Sequence, residues 1–316
     1  MKIAFLYEHP EWSAALIKCL QNNEFDVTPI CVSGLQFDPD DLAGQFDLAV
    51  NRINIMPSAD AARATTFQAQ HLLACFEAAG TRVLNGLHTH IIGLSKATQN
   101  ALFSRLGLPH PKGIAIHRIQ DALTAAESIG FPLIFKPNIG GSGQGIQKFD
   151  NPEELALAVE IKSLDFGVDG TGMIQQYVES DGYVYRVEIL GNALFYSIRQ
   201  PIQSDSFNYC AADGCSAVSE PEIEGDNLDF CVVTGADSIE VFDVPASVLE
   251  QVKSIISAAN ADFGGVEYLI DQNTGEACFY DFNPYSNFVS NGESLLGFSP
   301  EQRFADFLQT LNSTMR

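Results

Sequence analysis

The chain has 316 residues, 46% of them hydrophobic and 18% charged, a composition that suits a globular protein of two or three packed units. Its formal net charge of −23 argues against a nucleic-acid or anionic-membrane partner, since both are held by basic patches. No apolar run is long enough to span a bilayer, and the 7 cysteines, odd in number and scattered, point to a reducing cytoplasm rather than a disulfide framework.

Residues 2–7 read as an apolar strand, which Glu8, His9 and Pro10 interrupt too early for a signal peptide. Residues 11–21 carry Trp12, Ala15, Leu16 and Cys19 at helical spacing. Strands follow at 25–32 and 46–50, then an alanine-rich helix at 59–79 closed by Gly80, and a short strand at 81–84. Strand–helix alternation predicts a mostly parallel sheet, with ligands at the carboxyl ends of its strands. His9 and Arg52 lie at such ends; either is a candidate for a substrate carboxylate or a plain solvated loop residue. Residues 95–106 form a helix with Ser95 as N-cap, and 114–116 and 121–129 a strand and a helix ended by Gly130.

Residues 131–149, FPLIFKPNIGGSGQGIQKF, are the most informative stretch. An apolar strand delivers Lys136, and the loop that follows holds Gly140, Gly141, Ser142, Gly143 and Gly145 before a second strand. Glycines free the backbone to lie close to a ligand, and successive N–H groups make an anion cradle to which a lysine adds charge. Neither the Walker order nor the dinucleotide fingerprint fits, because the lysine precedes the glycines and no helix follows them. A hairpin flap over a nucleoside triphosphate is the functional reading; an ordinary glycine-rich hairpin is the plain one.

A helix at 152–161 completes this unit. Strands are expected at 173–179, 183–190 and 193–199, the last two joined at Gly191-Asn192 as a hairpin. Residues 201–245 are acidic and turn-rich with no assigned structure; Cys210, Cys215 and Cys231 cluster there, but no CxxC or nearby histidine supports zinc. A helix at 245–262, strands at 265–270 and 277–282 and a last helix at 300–311 end the chain. Strand alternation puts Asp281 and Asn283 on one face, and antiparallel pairing can bring Glu267 beside them. Two carboxylates and an amide oxygen suit Mg²⁺ shared with phosphates, or alternatively a polar surface hairpin.

In this order, SKATQNALFSRLGLP, FPLIFKPNIGGSGQGI, IQQYVE, YRVEILGNALFYSIR, GVEYLID and YDFNPYSN resemble the ATP-grasp superfamily, most nearly RimK-type glutamate ligases and glutathione synthetases. The resemblance implies an α/β protein with α+β lobes: a pre-ATP-grasp domain at 1–94, a central lobe with the flap at 95–178 and a C-terminal lobe with the metal site at 179–316. ATP is implied as cofactor, with Mg²⁺ or, in its place, Mn²⁺. Among the implied ATP-binding positions, Lys96 matches the family lysine at the start of the central lobe, Lys136 the lysine that contacts the α- and β-phosphates, and Gly141, Ser142 and Gly143 the flap. Gln176, Tyr177 and Val178 match the adenine hinge, and Glu179 or, alternatively, Asp181 a ribose contact. Arg186 and Arg199 match catalytic arginines, and Glu267, Asp281 and Asn283 the metal ligands. Asn208 stands where relatives place an arginine beside the acyl phosphate, so Arg199 is expected to carry that work. Arg52 and Asn208 are the substrate candidates.

The implied function is a cytoplasmic, ADP-forming carboxylate–amine ligase that joins small carboxylate and amine substrates through an acyl phosphate. A homo-oligomer is compatible with it, and neither nucleic acid nor membrane is expected as partner. The alternative is a non-catalytic ATP-binding protein of the same fold, acting as a sensor or partner-binding module.

Overall fold

The computed structural model describes residues 1–42, 44–54, 60–202, 239–285, 287–289 and 291–314. The first sheet is built from β1 (Lys2–Tyr7), β2 (Asp26–Cys31), β3 (Leu48–Arg52) and β4 (Arg82–Leu84), parallel in the order β2-β1-β3-β4. Its central strands are apolar nearly throughout because both faces are covered: every residue of β3 is buried. The helices that cover it are α1 (Pro10–Asn22) and α2 (Asp60–Ala78). The strand at β3 runs two residues further than its apolar stretch suggests, so Arg52 ends a buried strand instead of opening a loop.

Two helices lead out of this sheet, α3 (Leu87–Leu94) and α4 (Lys96–Arg105). The first has no side-chain cap, which is why no start signal marks it in the sequence. The second starts where Ser95 Oγ accepts the Thr98 N–H at 3.3 Å. The second sheet, antiparallel in the order β5-β8-β6-β7, comprises β5 (Gly113–Ile116), β6 (Leu133–Pro137), β7 (Gln147–Phe149) and β8 (Gly172–Gln176). Its apolar face packs on α5 (Asp121–Ile129) and α6 (Pro152–Ile161), with Leu133, Phe135 and Ile174 fully buried against Ala122 and Leu155.

The third sheet has the order β11-β10-β9-β12-β13, from β9 (Tyr183–Leu190), β10 (Ala193–Pro201), β11 (Glu240–Val241), β12 (Phe263–Ile270) and β13 (Ala277–Asn283). One face, with Tyr185, Val187, Ile189 and Tyr268, shares a core with α7 (Ala246–Ala258) and with Leu102 and Phe103 of α4. The α4 helix thus belongs by packing to the third sheet. The other face shares its core with the first unit: Leu190, Phe195 and Phe263 pack with Ile3, Phe5 and Leu20, closed by α9 (Pro300–Thr314), which follows the short α8 (Gly292–Leu296). The three sheets fall one each within residues 1–94, 95–178 and 179–316, the division we propose for the chain. No described helix is long and apolar enough to cross a membrane. The Cys210, Cys215 and Cys231 cluster lies outside the described residues.

Candidate active site

A cleft of about 430 Å³ opens between the second and third sheets. From the second sheet, β6 brings Lys136 into it, the loop contributes Gly140, Gly141, Ser142, Gly143 and Gln144, and the end of β8 contributes Gln176, Tyr177 and Val178. Lys96, at the first turn of α4, enters from the side. Ser142, Gly143 and Gly145 all have positive φ, at 53°, 72° and 71°, the left-handed backbone that a tight glycine-rich turn demands. At Gly145 an added Cβ would lie 2.8 Å from Pro137 Cγ, so the loop can lie this close to β6 only without a side chain there.

The third sheet supplies the charged wall. Register places Glu267 of β12 directly between Arg186 of β9 and Asp281 of β13, so the three share one face. One step along, Glu188, Gly265 and Asn283 are aligned in the same way. Arg186 donates from Nε to Glu188 Oε1 at 2.6 Å and from Nη2 to the Asn287 carbonyl at 3.1 Å. Gly265 makes room for this pair: a Cβ there would stand 2.4 Å from Glu188 Oε1. Burial works against the Arg186 charge, but Glu188, Tyr196 and Glu267 outweigh it and hold the guanidinium pKa above its ordinary value.

A bulge between Glu267 and Tyr268 leaves Tyr280 as an extra residue of β13, turned to the cleft, where its hydroxyl donates to Glu267 Oε2 at 2.7 Å. Lys96 Nζ donates to Asp281 Oδ1, and Asn283 Oδ1 accepts the Tyr285 N–H at 2.9 Å. Burial, reinforced by Asp281 and opposed by Arg186, raises the Glu267 carboxyl to about 7. Burial and the charge of Lys96 lower Lys136 to about 7, against the pull of Asp281. Among the described residues no group of three or more His, Cys, Asp or Glu could hold a metal ion. The Glu267, Asp281 and Asn283 set has hard oxygen donors instead: Glu267 Oε1 and Asp281 Oδ2 have no hydrogen-bond partner among the described residues, and the amide oxygen retains a lone pair. That chemistry fits Mg²⁺ or Mn²⁺.

The cleft gathers Lys96, Lys136, Gly141, Ser142, Gly143, Gln176, Tyr177, Val178, Arg186, Glu267, Asp281 and Asn283. It does not gather Glu179, which is exposed and off the lining. The Tyr177 N–H is bonded to the Pro132 carbonyl at 3.2 Å. The expectation for Arg199 needs correction. Arg199 pairs with Tyr185, whereas Arg186 pairs with Ile198, so the two arginines point to opposite faces of the sheet. Arg199 binds Glu240 at 2.8 Å and lies 4.6 Å from the Tyr183 ring centroid, on the face away from the cleft. Asn208 lies outside the described residues. The His9 ring lies tilted against Trp12, centroids 4.0 Å apart, and burial lowers its pKa. Arg52 is buried and lines a neighbouring cavity, not this one.

Trp12, Lys148 and Tyr280 of the lining, and Glu188 behind Arg186, are among the residues that carry no functional reading from the sequence. Glu188 was legible in YRVE, where alternation puts an arginine and a glutamate on one face of an apolar strand. Lys148, 4.4 Å from the Tyr177 ring centroid, was legible as the outward partner of the flap strand. Tyr280 was not, because only the bulge turns it inward. Trp12 was not, because it enters from the first unit.

Residues 95–181 match the family model for the carbamoyl-phosphate synthase L chain, ATP binding domain. The D-alanine–D-alanine ligase of Halorhodospira halophila (strain DSM 244 / SL1) is 32% identical over 127 residues, 40% of this chain and 40% of that protein. The chain therefore spans well under two thirds of that relative's length. The VanG D-Ala:D-Ser ligase of Enterococcus faecalis superposes with a TM-score of 0.69 at 17% identity, over 98% of both chains. The RimK domain ATP-grasp protein of Sphaerobacter thermophilus DSM 20745 gives 0.65 at 16% identity, over 98% of this chain and 100% of that one. The chain has the ATP-grasp fold, and its residues 95–181 are similar to an ATP binding domain.

Proposed function

We propose that the chain is an ATP-dependent, ADP-forming carboxylate–amine ligase that joins small amino acids or peptides through an acyl phosphate. The observation that carries this reading is the two-sided cleft. A lysine-and-glycine cradle lies on one wall, and Arg186, Glu267, Asp281 and Asn283 on the other. D-Ala–D-Ala ligase, VanG and the RimK domain protein, each similar in part or in fold, support it.

In this reading the Tyr177 carbonyl and the Val178 N–H edge the adenine, while Lys96, Lys136 and the loop N–H groups hold the phosphates. A substrate carboxylate attacks the γ-phosphorus, the bond to the β,γ-bridging oxygen breaks, and ADP leaves. The amine then attacks the acyl carbon, phosphate departs, and the amine's proton passes to solvent or to a cleft base. Glu267, Asp281 and Asn283 would hold Mg²⁺, which supplies charge neutralisation at the phosphates. Arg186, fixed by Glu188, neutralises the transferred phosphoryl group. Positioning and fixed charge account for most of the rate, and the flap excludes water.

The rival reading, a non-catalytic ATP binder, draws on one observation: with Arg199 on the far face, Arg186 is the arginine that lines the cleft among the described residues. A phosphate-release screen over amino-acid pairs and dipeptides separates the two. Release that requires both a carboxylate and an amine supports the ligase; tight ATP binding with no release on any pair supports the rival.

A further inference from the structure

Gln99 is fully buried in α4, one turn past Lys96 and on the same side of the helix. A side-chain amide buried so deeply is costly unless its donors and acceptor are met. Here they are met, and by main chain alone. Nε2 donates to the Gly93 carbonyl and to the Phe282 carbonyl, each at 2.9 Å, and Oε1 accepts the Phe282 N–H at 3.2 Å. The amide thus exchanges two bonds with the backbone of a single residue, as a paired residue on a neighbouring strand does.

That residue lies between Asp281 and Asn283. The strand that carries them, β13, is the outermost of the third sheet, so among the described strands β12 alone pairs with it. Its ladder with β12 is interrupted immediately before Asp281, where the bulge leaves Tyr280 unpaired. A slip of one residue beyond that bulge would turn Asp281 and Asn283 out of the cleft and bring Phe282 into it. Gln99 closes the outer edge of β13 at the first residue past Asp281, and so fixes the phase of the strand from the side that lacks a strand. On the other side of the bulge the Pro109 carbonyl accepts the Phe279 N–H at 2.9 Å, which holds the same edge. The Phe282 ring is fully buried in one core with Leu102 and Phe103 of α4. Gly93 lets α3 come close enough for its carbonyl to take the second Gln99 donor, since a Cβ there would lie 2.5 Å from Pro284 Cγ. Lys96 meets Asp281 Oδ1 from the same helix, so α4 grips β13 at a side chain and at the adjoining backbone.

We propose that Gln99 is a positioning residue for the metal site. By holding both backbone groups of Phe282 it sets the direction of Asp281 and Asn283 and keeps Lys96 seated against Asp281. The assignment rests on the reading of Glu267, Asp281 and Asn283 as metal ligands, and it requires no particular substrate. Thr89 supplies a comparison. It is equally buried, and its hydroxyl donates to the Ala259 and Asn260 carbonyls at 3.0 and 2.8 Å, neither of them beside a proposed ligand in the chain.

The test is electron paramagnetic titration of the full chain with Mn²⁺, without nucleotide, alongside denaturant unfolding of each variant. Gln99→Met keeps the length of the side chain and removes all three bonds. Gln99→Asn keeps the amide and shortens its reach by one methylene. Both should weaken Mn²⁺ binding roughly tenfold to a hundredfold, the scale for groups that orient metal ligands. Thr89→Val loses a buried bond as well, and should bind Mn²⁺ as the parent does while unfolding more easily. Parent-like Mn²⁺ affinity in a folded Gln99→Met protein, with Asp281→Asn deficient, overturns the proposal and leaves the metal site standing. An equal loss in Thr89→Val also overturns it, because any loosening of the fold would then have the same effect. If the parent binds no Mn²⁺, or Asp281→Asn binds it as tightly as the parent, the metal-site reading fails and this assignment fails with it. If Gln99→Met does not unfold cooperatively, Gln99→Asn decides by the same criterion.

Discussion

Lys136 is buried at the cleft wall beside a second lysine, Lys96, and both burial and that neighbour disfavour its charge, lowering it to about 7. A triphosphate placed against it reverses the balance and favours the ammonium form. The sign follows: free protein binds fewer protons than the complex above pH ~7, so ATP binding takes up a proton and metal-free affinity falls as pH rises through that value. Titrations in two buffers of unlike ionisation heat, with EDTA present, should give different apparent enthalpies near pH 8 in the parent protein. Lys136→Met should give matching ones; matching heats in both proteins would place the proton elsewhere. Tyr280 offers a second check at this scale. Its hydroxyl bond to Glu267 at 2.7 Å orients a proposed metal ligand, so Tyr280→Phe should weaken Mn²⁺ binding roughly tenfold to a hundredfold. Electron paramagnetic titration of Mn²⁺ reads this directly, and an unchanged affinity would mean that the bond orients nothing of consequence. Folding stability should fall by only about 1 kcal/mol, the net worth of one hydrogen bond.

The β9–β12–β13 ladder sets the charged wall, and Gly265 is its spacer, since a Cβ there would collide with Glu188 and crowd Arg186 Nε at 3.2 Å. Gly265→Ala should destabilise the chain by about 1–3 kcal/mol through overpacking and shift Arg186 out of position. Denaturant unfolding checks the first part. ATP titration checks the second, and a variant as stable as its parent with the same ATP affinity would contradict both. Much of this ladder was legible beforehand, because YDFN and YRVE alternate with a period of two and alternation needs no partner to be read. The direction of Arg199 was not legible. It depends on β10 pairing with β9 through a register shift between Leu194 and Tyr196, and register lies in the pairing, not in either strand alone. Tyr280 was hidden for the same reason, as was the buried setting of Arg52, whose strand continues past its apolar stretch. The capped helices were read closely because Ser95 and Asn151 announce their starts, whereas α3 has no side-chain cap and was missed.

At the scale of the whole molecule, Asn85 ties the first unit to the third sheet. It is fully buried, with a left-handed φ of 52°, and its side chain donates to the carbonyls of Phe263 at 2.9 Å and Pro284 at 2.8 Å while accepting the Asp262 N–H at 2.9 Å. No sequence pattern signals this staple, because its partners lie some 180 residues away in the chain. Asn85→Ala would leave those buried groups unpaired, at about 1–3 kcal/mol each, and should lower the unfolding midpoint well beyond a surface substitution. An unfolding free energy within about 0.5 kcal/mol of the parent's would show that water replaces the amide. The central claim at this scale is ATP-driven amide formation in the cleft between the second and third sheets. The measurement that tests this most directly is a product balance for ATP turnover on an amino-acid pair returned by the release screen. The account predicts ADP and phosphate formed one for one with a new amide, and loss of all three in a folded Asp281→Asn protein that still binds adenosine. AMP with pyrophosphate, or ADP without any amide, would contradict it.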